Sequence, residues 1–113
     1  MLARNQRLRQ NRDIVRILKR GQSWRTQHLK IYTLKSSLQQ TRAAVVISKK
    51  VDKRAVVRNR NRRRVIEIVR ELLPECKRYS DILIYINADL KGIQPDDLRR
   101  EVSEGLKRRG VMS

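Results

Sequence analysis

The stretch RAVVRNRNRRRVIEIVRELLP, residues 54–74, changes character halfway along. In its second half, Val65, Ile68, Val69 and Leu72 fall within one face at 100° per residue, as in an amphipathic helix that packs on a core. Its first half is cationic almost all the way round. Residues 53–64, which we call the arginine block, hold seven basic residues and no acid. We therefore predict one helix, which docks through its second half and presents its first half.

A charged face that serves only for solubility would intersperse acidic residues, and the arginine block has none. Like-charged pairs four residues apart, such as Arg54–Arg58 and Arg60–Arg64, each cost roughly 0.2–0.5 kcal/mol. Cations near a helix N-terminus also oppose the helix dipole. These costs indicate a polyanionic partner that offsets them. Arginine binds phosphate bidentately and stacks on bases, so the block predicts a phosphate-binding surface, which Lys49 and Lys50 extend.

Composition points the same way. The chain has 113 residues and a formal net charge of +18, and residues 1–64 hold 20 basic residues against two acidic ones. A basic surface of this kind favours nucleic acid first and an anionic membrane second. The longest apolar runs, at 43–47 and 82–86, are far too short to span a membrane, and the N-terminus lacks the apolar core of a secretory signal. We expect a cytoplasmic protein that does not associate with membranes.

The first half of the chain predicts a helix and two strands. The segment NRDIVRILKRG, residues 11–21, has helical spacing, with Asn11 as the expected N-cap and Gly21 in the left-handed position after the last turn. Residues 28–35 alternate as a strand does, with two sets on opposite faces: His28, Lys30, Tyr32 and Leu34 on one, Leu29, Ile31 and Thr33 on the other. A polar turn separates this strand from a second one at 42–48. We predict that the two form an antiparallel hairpin.

The second half predicts two helices and one strand. Asp52 is the expected N-cap of the helix that carries the arginine block, and Pro74 ends that helix. Residues 81–87 read as a buried strand, and Pro95 opens a last helix that ends at Gly110. The order helix, strand, strand, helix, strand, helix predicts an α+β fold, a two-layer sandwich, in a single domain over residues 1–113.

These residues resemble a known family. The segment ISKKVDKRAVVRNRNRRR, residues 47–64, is similar to the signature of the bacterial ribonuclease P protein subunit. In that signature a strand ends in Ser or Ala and two lysines, and a helix opens Ala-x-x-Arg-Asn-Arg-x-(Lys/Arg)-Arg. The matching residues are Ser48, Lys49, Lys50, Ala55, Arg58, Asn59, Arg60, Arg62 and Arg63. LRQNRDIVRILKRGQ and LKIYTL resemble the family's opening and its next strand, so the resemblance covers nearly the whole chain.

The resemblance implies a ribonucleoprotein that removes the 5′ leader from precursor tRNA. Its catalytic centre belongs to the RNA subunit and to Mg²⁺ held through that RNA, so no catalytic residue, metal or cofactor is expected on the protein. One protein per RNA is expected. The residues implied to bind the RNA subunit are Lys49, Lys50, Arg54, Arg58, Asn59, Arg60, Arg62 and Arg63. The family also implies a small mixed sheet with a left-handed strand–helix–strand crossover.

The resemblance further implies a leader-binding cleft between the first helix and the sheet, formed here by Tyr32, Ile14, Leu18 and Lys30. Single strands suit such a cleft because their bases are open to stacking. Ile14 and Leu18 stand where the family typically has phenylalanines, and plain core packing is an alternative role for both. Asn61 and Arg64 stand where the family often has apolar residues.

Three aromatic residues and several function classes stay open at this stage. Trp24 either stacks near the leader or packs under the first helix, and Tyr79 and Tyr85 are interpreted as structural. The alternatives to ribonuclease P are an RNA-binding protein of the ribosome or its assembly, a DNA-binding regulator that uses residues 54–64, and a protein-only nuclease. The last would need clustered carboxylates. A zinc site or a Cys–His nucleophile is not expected from the lone His28 and lone Cys76.

Overall fold

The computed structural model describes residues 1–113 and contains three α-helices and one four-stranded sheet. The helices are α1 (Asn11–Arg20), α2 (Ala55–Leu72) and α3 (Pro95–Arg108), and the strands are β1 (Gln22–Arg25), β2 (Leu29–Lys35), β3 (Arg42–Ile47) and β4 (Ser80–Ile86). Short 3₁₀ turns occupy Arg4–Gln6 and Leu73–Glu75. The α+β class is confirmed, while β1 was not predicted.

The sheet order is β1-β2-β4-β3. The predicted antiparallel hairpin of the strands at 28–35 and 42–48 is wrong, because β4 lies between them. It pairs antiparallel with β2 and parallel with β3. The parallel pair β3–β4 requires a crossover, and α2 supplies it. The left-handedness of that crossover stays a prediction.

Helix termini differ in detail from the sequence expectation. Gln10, not Asn11, is the N-cap of α1, and Arg54, not Asp52, is the N-cap of α2; neither makes a capping side-chain bond. Asp52 acts two residues earlier, where its Oδ1 accepts the Arg54 backbone N–H at 2.8 Å. Gly21 has φ −70°, so it is not left-handed. Gly110, which ends the last helix as predicted, has φ +75°, a conformation that favours glycine.

One face of the sheet carries the main core, under α2 and α3. Every second residue of β2 and β4 points into it, beginning with Leu29 and Ile82, and α2 packs on it through Val65 and Val69. Gly105 lets α3 come close to the sheet, because a Cβ there would clash with the Ile31 Cδ1 atom. The predicted division of residues 28–35 into two faces is thus confirmed, and the face of Leu29, Ile31 and Thr33 is the core side.

Two polar residues of α2 fasten it to the loop that follows β4. Asn61 is 2% exposed; its amide donates to Asp89 Oδ1 at 3.1 Å and its carbonyl accepts the Leu90 N–H at 3.4 Å. Arg64 donates to the carbonyls of Leu90 and Ile93, both at 2.6 Å. These hydrogen bonds replace the apolar contact expected at positions 61 and 64 from the family resemblance.

The opposite face of the sheet is covered only in part, by α1, so the helices form layers on both faces rather than the single layer predicted. Ile17 packs there against Leu83 and Leu8. A buried ionic network adds to this contact: Arg42 donates to both oxygens of Asp81 at 3.0 Å, and the Arg16 guanidinium lies 3.1 Å from Asp13 and 3.4 Å from Asp81. The network holds the N-terminal half of α1 at the start of β3 and β4.

Candidate nucleic-acid interface

A basic loop, residues 48–54, lies where β3 ends. Ile47 pairs with Ile86, so the loop sits at the carboxyl end of the two parallel strands and leads directly into α2. Lys49 and Lys50 are exposed on it. The Arg54 guanidinium lies 2.9 Å from Asp52 Oδ2, and its hydrogen bonds to that carboxylate lower the pKa of Asp52 to about 2. The only acid of the loop is therefore already paired.

The arginine block divides into residues that bond within the protein and residues that do not. The Arg58 guanidinium turns back to donate to the carbonyls of Asp52 and Lys53, at 3.0 and 2.8 Å. Arg62 donates to the side-chain oxygen of Asn59. Together with Arg54, these two side chains bond within the loop and the first turns of α2, whereas Arg64 bonds to the loop after β4. Sequence spacing alone could not separate them from the rest of the block.

Five cations of this region make no side-chain hydrogen bond and no ion pair within the protein, and all five are exposed: Lys49, Lys50, Lys53, Arg60 and Arg63. Lys49, Lys50 and Lys53 precede the N-terminus of α2, where the helix dipole adds further positive potential, and Arg60 and Arg63 follow within the first half of the helix. A field of this sign and density attracts a polyanion. Of the RNA-binding residues predicted from the sequence, Lys49, Lys50, Arg60 and Arg63 thus have side chains available to a ligand, and their role stays a prediction.

An open face adjoins the basic loop, on the side of the sheet that α1 leaves partly uncovered. Lys30 of β2 lies opposite Tyr85 of β4, and Tyr32 lies opposite Leu83. The rings of Tyr32 and Tyr85 pack edge to face with centroids 5.9 Å apart, and Lys30 Nζ lies 5.1 Å from the Tyr32 ring centre. Both tyrosines are half-buried, so each ring keeps some surface in contact with solvent.

Tyr85, interpreted as structural from the sequence, lies on the face opposite the main core, where it packs against the small cluster that includes Ile17 and Leu83. Of the predicted cleft residues on α1, Ile14 is half-buried against the small cluster of Ile17 and Leu83, while Leu18 is 40% exposed. Ile14 therefore packs, and Leu18 faces outward. Lys30 and Tyr32 do share the open face, as predicted from their alternation.

Trp24 lies elsewhere. It pairs with Ile31 across β1 and β2, which places it on the core face, and the Arg108 guanidinium carbon of α3 lies 4.9 Å from its ring centre. The prediction that it packs under the first helix is wrong, and it does not share the face of Tyr32. Short edge strands such as β1 give too little periodicity to show this in sequence.

Three further findings concern chemistry and location. No three His, Cys, Asp or Glu side chains come together in an arrangement that could hold a metal ion. Cys76 is a free thiol, and burial raises its pKa to about 11, so it is a thiol and not a thiolate near neutral pH. None of the three helices has the length and apolar character needed to cross a bilayer.

The molecule is thus a small α+β protein with one strongly basic surface and one open face that carries two tyrosines. Comparison with known proteins specifies it further. The family model for ribonuclease P matches residues 2–110. A ribonuclease P protein component from Clostridioides difficile is 30% identical over 109 residues, which covers 96% of this chain and 95% of the relative. One from Pseudanabaena is 36% identical over 87 residues, covering 76% and 75%.

Solved structures agree. The ribonuclease P protein of Thermotoga maritima superposes with a TM-score of 0.81 at 26% identity, covering 90% of this chain and 96% of that one. The Staphylococcus aureus protein gives a TM-score of 0.83 at 24% identity over 96% and 98%, which shows the shared fold. The chain belongs to the ribonuclease P protein family. Membership supports a role in 5′ processing of tRNA, and it favours this role over the ribosomal, DNA-regulatory and protein-only nuclease alternatives.

Proposed function

We propose that this chain is the protein subunit of ribonuclease P, which binds the RNA subunit through its basic loop and arginine block and holds the 5′ leader of precursor tRNA on its open face. One protein acts with one RNA. The RNA carries out cleavage, with Mg²⁺ bound through the RNA. This proposal places the protein in the cytoplasm with its tRNA substrates.

The observation that carries the proposal is the pairing of two different surfaces at one end of the sheet. The basic loop and the arginine block supply five unpaired cations, a surface that suits the phosphates of a folded RNA. The open face supplies two tyrosines and Lys30, a surface that suits a single strand with exposed bases. Lys30 and the basic loop lie at the same end of the sheet, since Leu29 pairs with Ile86 and Ile86 with Ile47. The two surfaces are therefore neighbours, so the RNA subunit on one can lie beside the leader on the other.

Magnesium is assigned to the RNA rather than to the protein. Four of the acidic residues are held by other side chains: Asp13 and Asp81 by arginines, Asp52 by Arg54, and Asp89 by Asn61. They form no cluster around an open position. The protein's part is to bind and orient RNA, which is positioning rather than bond breaking.

Reconstitution tests the proposal. The purified protein with its cognate RNA subunit and Mg²⁺ is expected to cleave precursor tRNA at the 5′ end at a moderate salt concentration where the RNA alone is slow. The protein alone, treated with nuclease to remove bound RNA and then repurified, is expected to leave precursor tRNA intact. Cleavage by such RNA-free protein, abolished by Asp89→Asn or another carboxylate change, would contradict the assignment of catalysis to RNA.

The open face has its own test. In the reconstituted complex, Tyr32→Ala is expected to weaken binding of precursor tRNA by about 1–3 kcal/mol, the range for loss of one stacked base. Mature tRNA has no leader, so its binding should change little, and assembly with the RNA subunit should stay near wild type. Tyr32→Phe is the matched control because it keeps the ring. Equal losses for precursor and mature tRNA would show that the leader does not lie on this face.

A further inference from the structure

A second basic surface lies at the other end of the sheet, far from the arginine block. Lys35 at the end of β2 pairs with Ser80 at the start of β4, and a cavity of about 670 Å³ opens between the turn after β2 and the segment before β4. Along β4, Ser80 and Ile86 are separated by about 20 Å, at roughly 3.3 Å per residue. We call the cavity of about 670 Å³ the distal cavity, and residues of the basic loop do not line it.

The charged residues that line the distal cavity are all basic. Its lining includes five basic residues and no acidic one: Arg20, Lys35, Lys77, Arg78 and Arg109. The two nearest acids in sequence lie outside the lining, since Glu75 is exposed beyond it and Asp81 is buried and held by Arg42. Three of the five cations come from the second half of the chain, whose overall charge is zero. The net charge of the sequence segments therefore gave no indication of this basic surface.

The walls of the cavity are fixed by backbone hydrogen bonds. The Ser36 N–H donates to the Tyr79 carbonyl at 2.9 Å, and the Lys77 N–H donates to the Val111 carbonyl at 2.8 Å. Arg109 donates through Nη1 to Gln22 at 3.2 Å, while its Nε is buried without any hydrogen-bond partner. A buried donor in that state is unusual, and an acceptor atom brought by a ligand would satisfy it.

An aromatic ridge borders the cavity. Lys77, Arg78 and Tyr79 line both the distal cavity and a neighbouring one of about 350 Å³, which also has no acidic lining residue. Tyr79 is 57% exposed, which is high for a tyrosine that serves only to pack. Cations that follow a phosphate backbone, interleaved with an exposed ring, are the pattern by which proteins bind single-stranded nucleic acid. Pockets for small molecules are instead mostly apolar.

We propose that the distal cavity and its Lys77–Tyr79 ridge form a further RNA-binding site, which takes the phosphodiester backbone of a single-stranded segment and stacks one base on Tyr79. It rests on the proposed function in one respect, that the polyanion is RNA. The site acts independently of the basic loop, which lies at the other end of β4, about 20 Å away. It gives the protein two points of attachment to RNA that lie at opposite ends of one rigid sheet.

The test uses the free full-length protein and a 12-nucleotide RNA of mixed sequence that contains 4-thiouridine. After irradiation, mass spectrometry maps the cross-linked peptides. We expect cross-links to the peptide that contains Tyr79, in addition to peptides of the arginine block. Lys77→Gln/Arg78→Gln should remove the former while leaving the latter. Lys107→Gln is a control for the loss of an exposed cation elsewhere, because Lys107 is exposed on α3 and lines neither cavity, and it should change nothing.

Affinity supplies the second measurement. In a background of Arg60→Gln/Arg63→Gln, which weakens the arginine block, Tyr79→Ala should raise the Kd for the RNA by about 5- to 150-fold, the stacking range converted at tenfold per 1.4 kcal/mol, and Tyr79→Phe should restore it. Unchanged cross-linking in the Lys77/Arg78 variant would overturn the proposal. The same variant is also tested for binding to phosphatidylglycerol vesicles, which present phosphate without RNA. If Lys77→Gln/Arg78→Gln loses binding to these vesicles but keeps its affinity for RNA, the proposal is overturned. Because this assay uses no RNA subunit and no cleavage, its result is independent of whether reconstitution succeeds.

Discussion

Replacing Arg42 by methionine is expected to lower the free energy of unfolding by about 3–5 kcal/mol. The Asp81 side chain is fully buried, and both of its oxygens accept from Arg42 at 3.0 Å. Without that guanidinium the carboxylate keeps only Arg16, at 3.4 Å. A buried charge that loses its partner is far more costly than an absent ion pair. Urea denaturation followed by far-ultraviolet circular dichroism measures the change.

Two variants separate this effect from a general loss of charge. Arg16→Met removes a guanidinium that is 38% exposed, so it should cost less than about 1 kcal/mol. Arg42→Met/Asp81→Leu removes both buried charges and should recover most of the stability, because an apolar pair of similar volume replaces a buried ion pair at little cost. If the double variant is as unstable as Arg42→Met alone, packing and not charge explains the loss.

The triple variant Lys49→Gln/Arg60→Gln/Arg63→Gln is expected to impair assembly with the RNA subunit more than any other change proposed here to the RNA-binding surfaces. If each side chain neutralises one phosphate, the slope of log affinity against log salt should flatten by about 2–3, at roughly 0.7–0.9 per contact. Filter binding over a range of salt concentrations measures this slope. The physical reason is that these three cations have no partner within the protein, so their charges remain available to RNA phosphates.

Arg54→Gln/Arg62→Gln is the informative control, because it removes cations of the same block that are already paired. Arg54 bonds to Asp52 and Arg62 to Asn59. We expect the salt slope to change by less than half as much per residue as in the triple variant. Equal effects per residue in the two variants would mean that Arg54 and Arg62 leave their internal partners on binding. No change in either would place the RNA elsewhere on the protein.

Much of the fold follows from local patterns in the sequence. The alternation of residues 28–35 correctly divided β2 into a core face and an open face, and the continuous apolar run of residues 82–86 correctly marked a buried strand. Helical spacing located all three helices to within a few residues. These patterns succeed because each depends on which side chains are buried within one element.

What failed depends on contacts between distant segments. Two strands joined by a short polar turn resemble a hairpin, and nothing local to that turn shows that β4 pairs between them. A strand that is buried on both faces is typical of a central position in a sheet. The continuous apolar run at 82–86 was therefore the only sign in the sequence that β4 lies between the other two strands. In the same way, the sequence of the arginine block does not show that Arg58 bonds to backbone carbonyls while Arg60 points outward.

The central place of β4 has a consequence for how the chain folds. β4 is the last strand to be synthesised, yet both β2 and β3 depend on it for their pairing. Until residues 80–86 leave the ribosome, the earlier strands have unpaired edges and α2 has no complete sheet to pack on. Such long-range pairing slows folding and prolongs exposure to aggregation. The high positive charge of the first 64 residues keeps nascent chains apart by mutual repulsion during this interval.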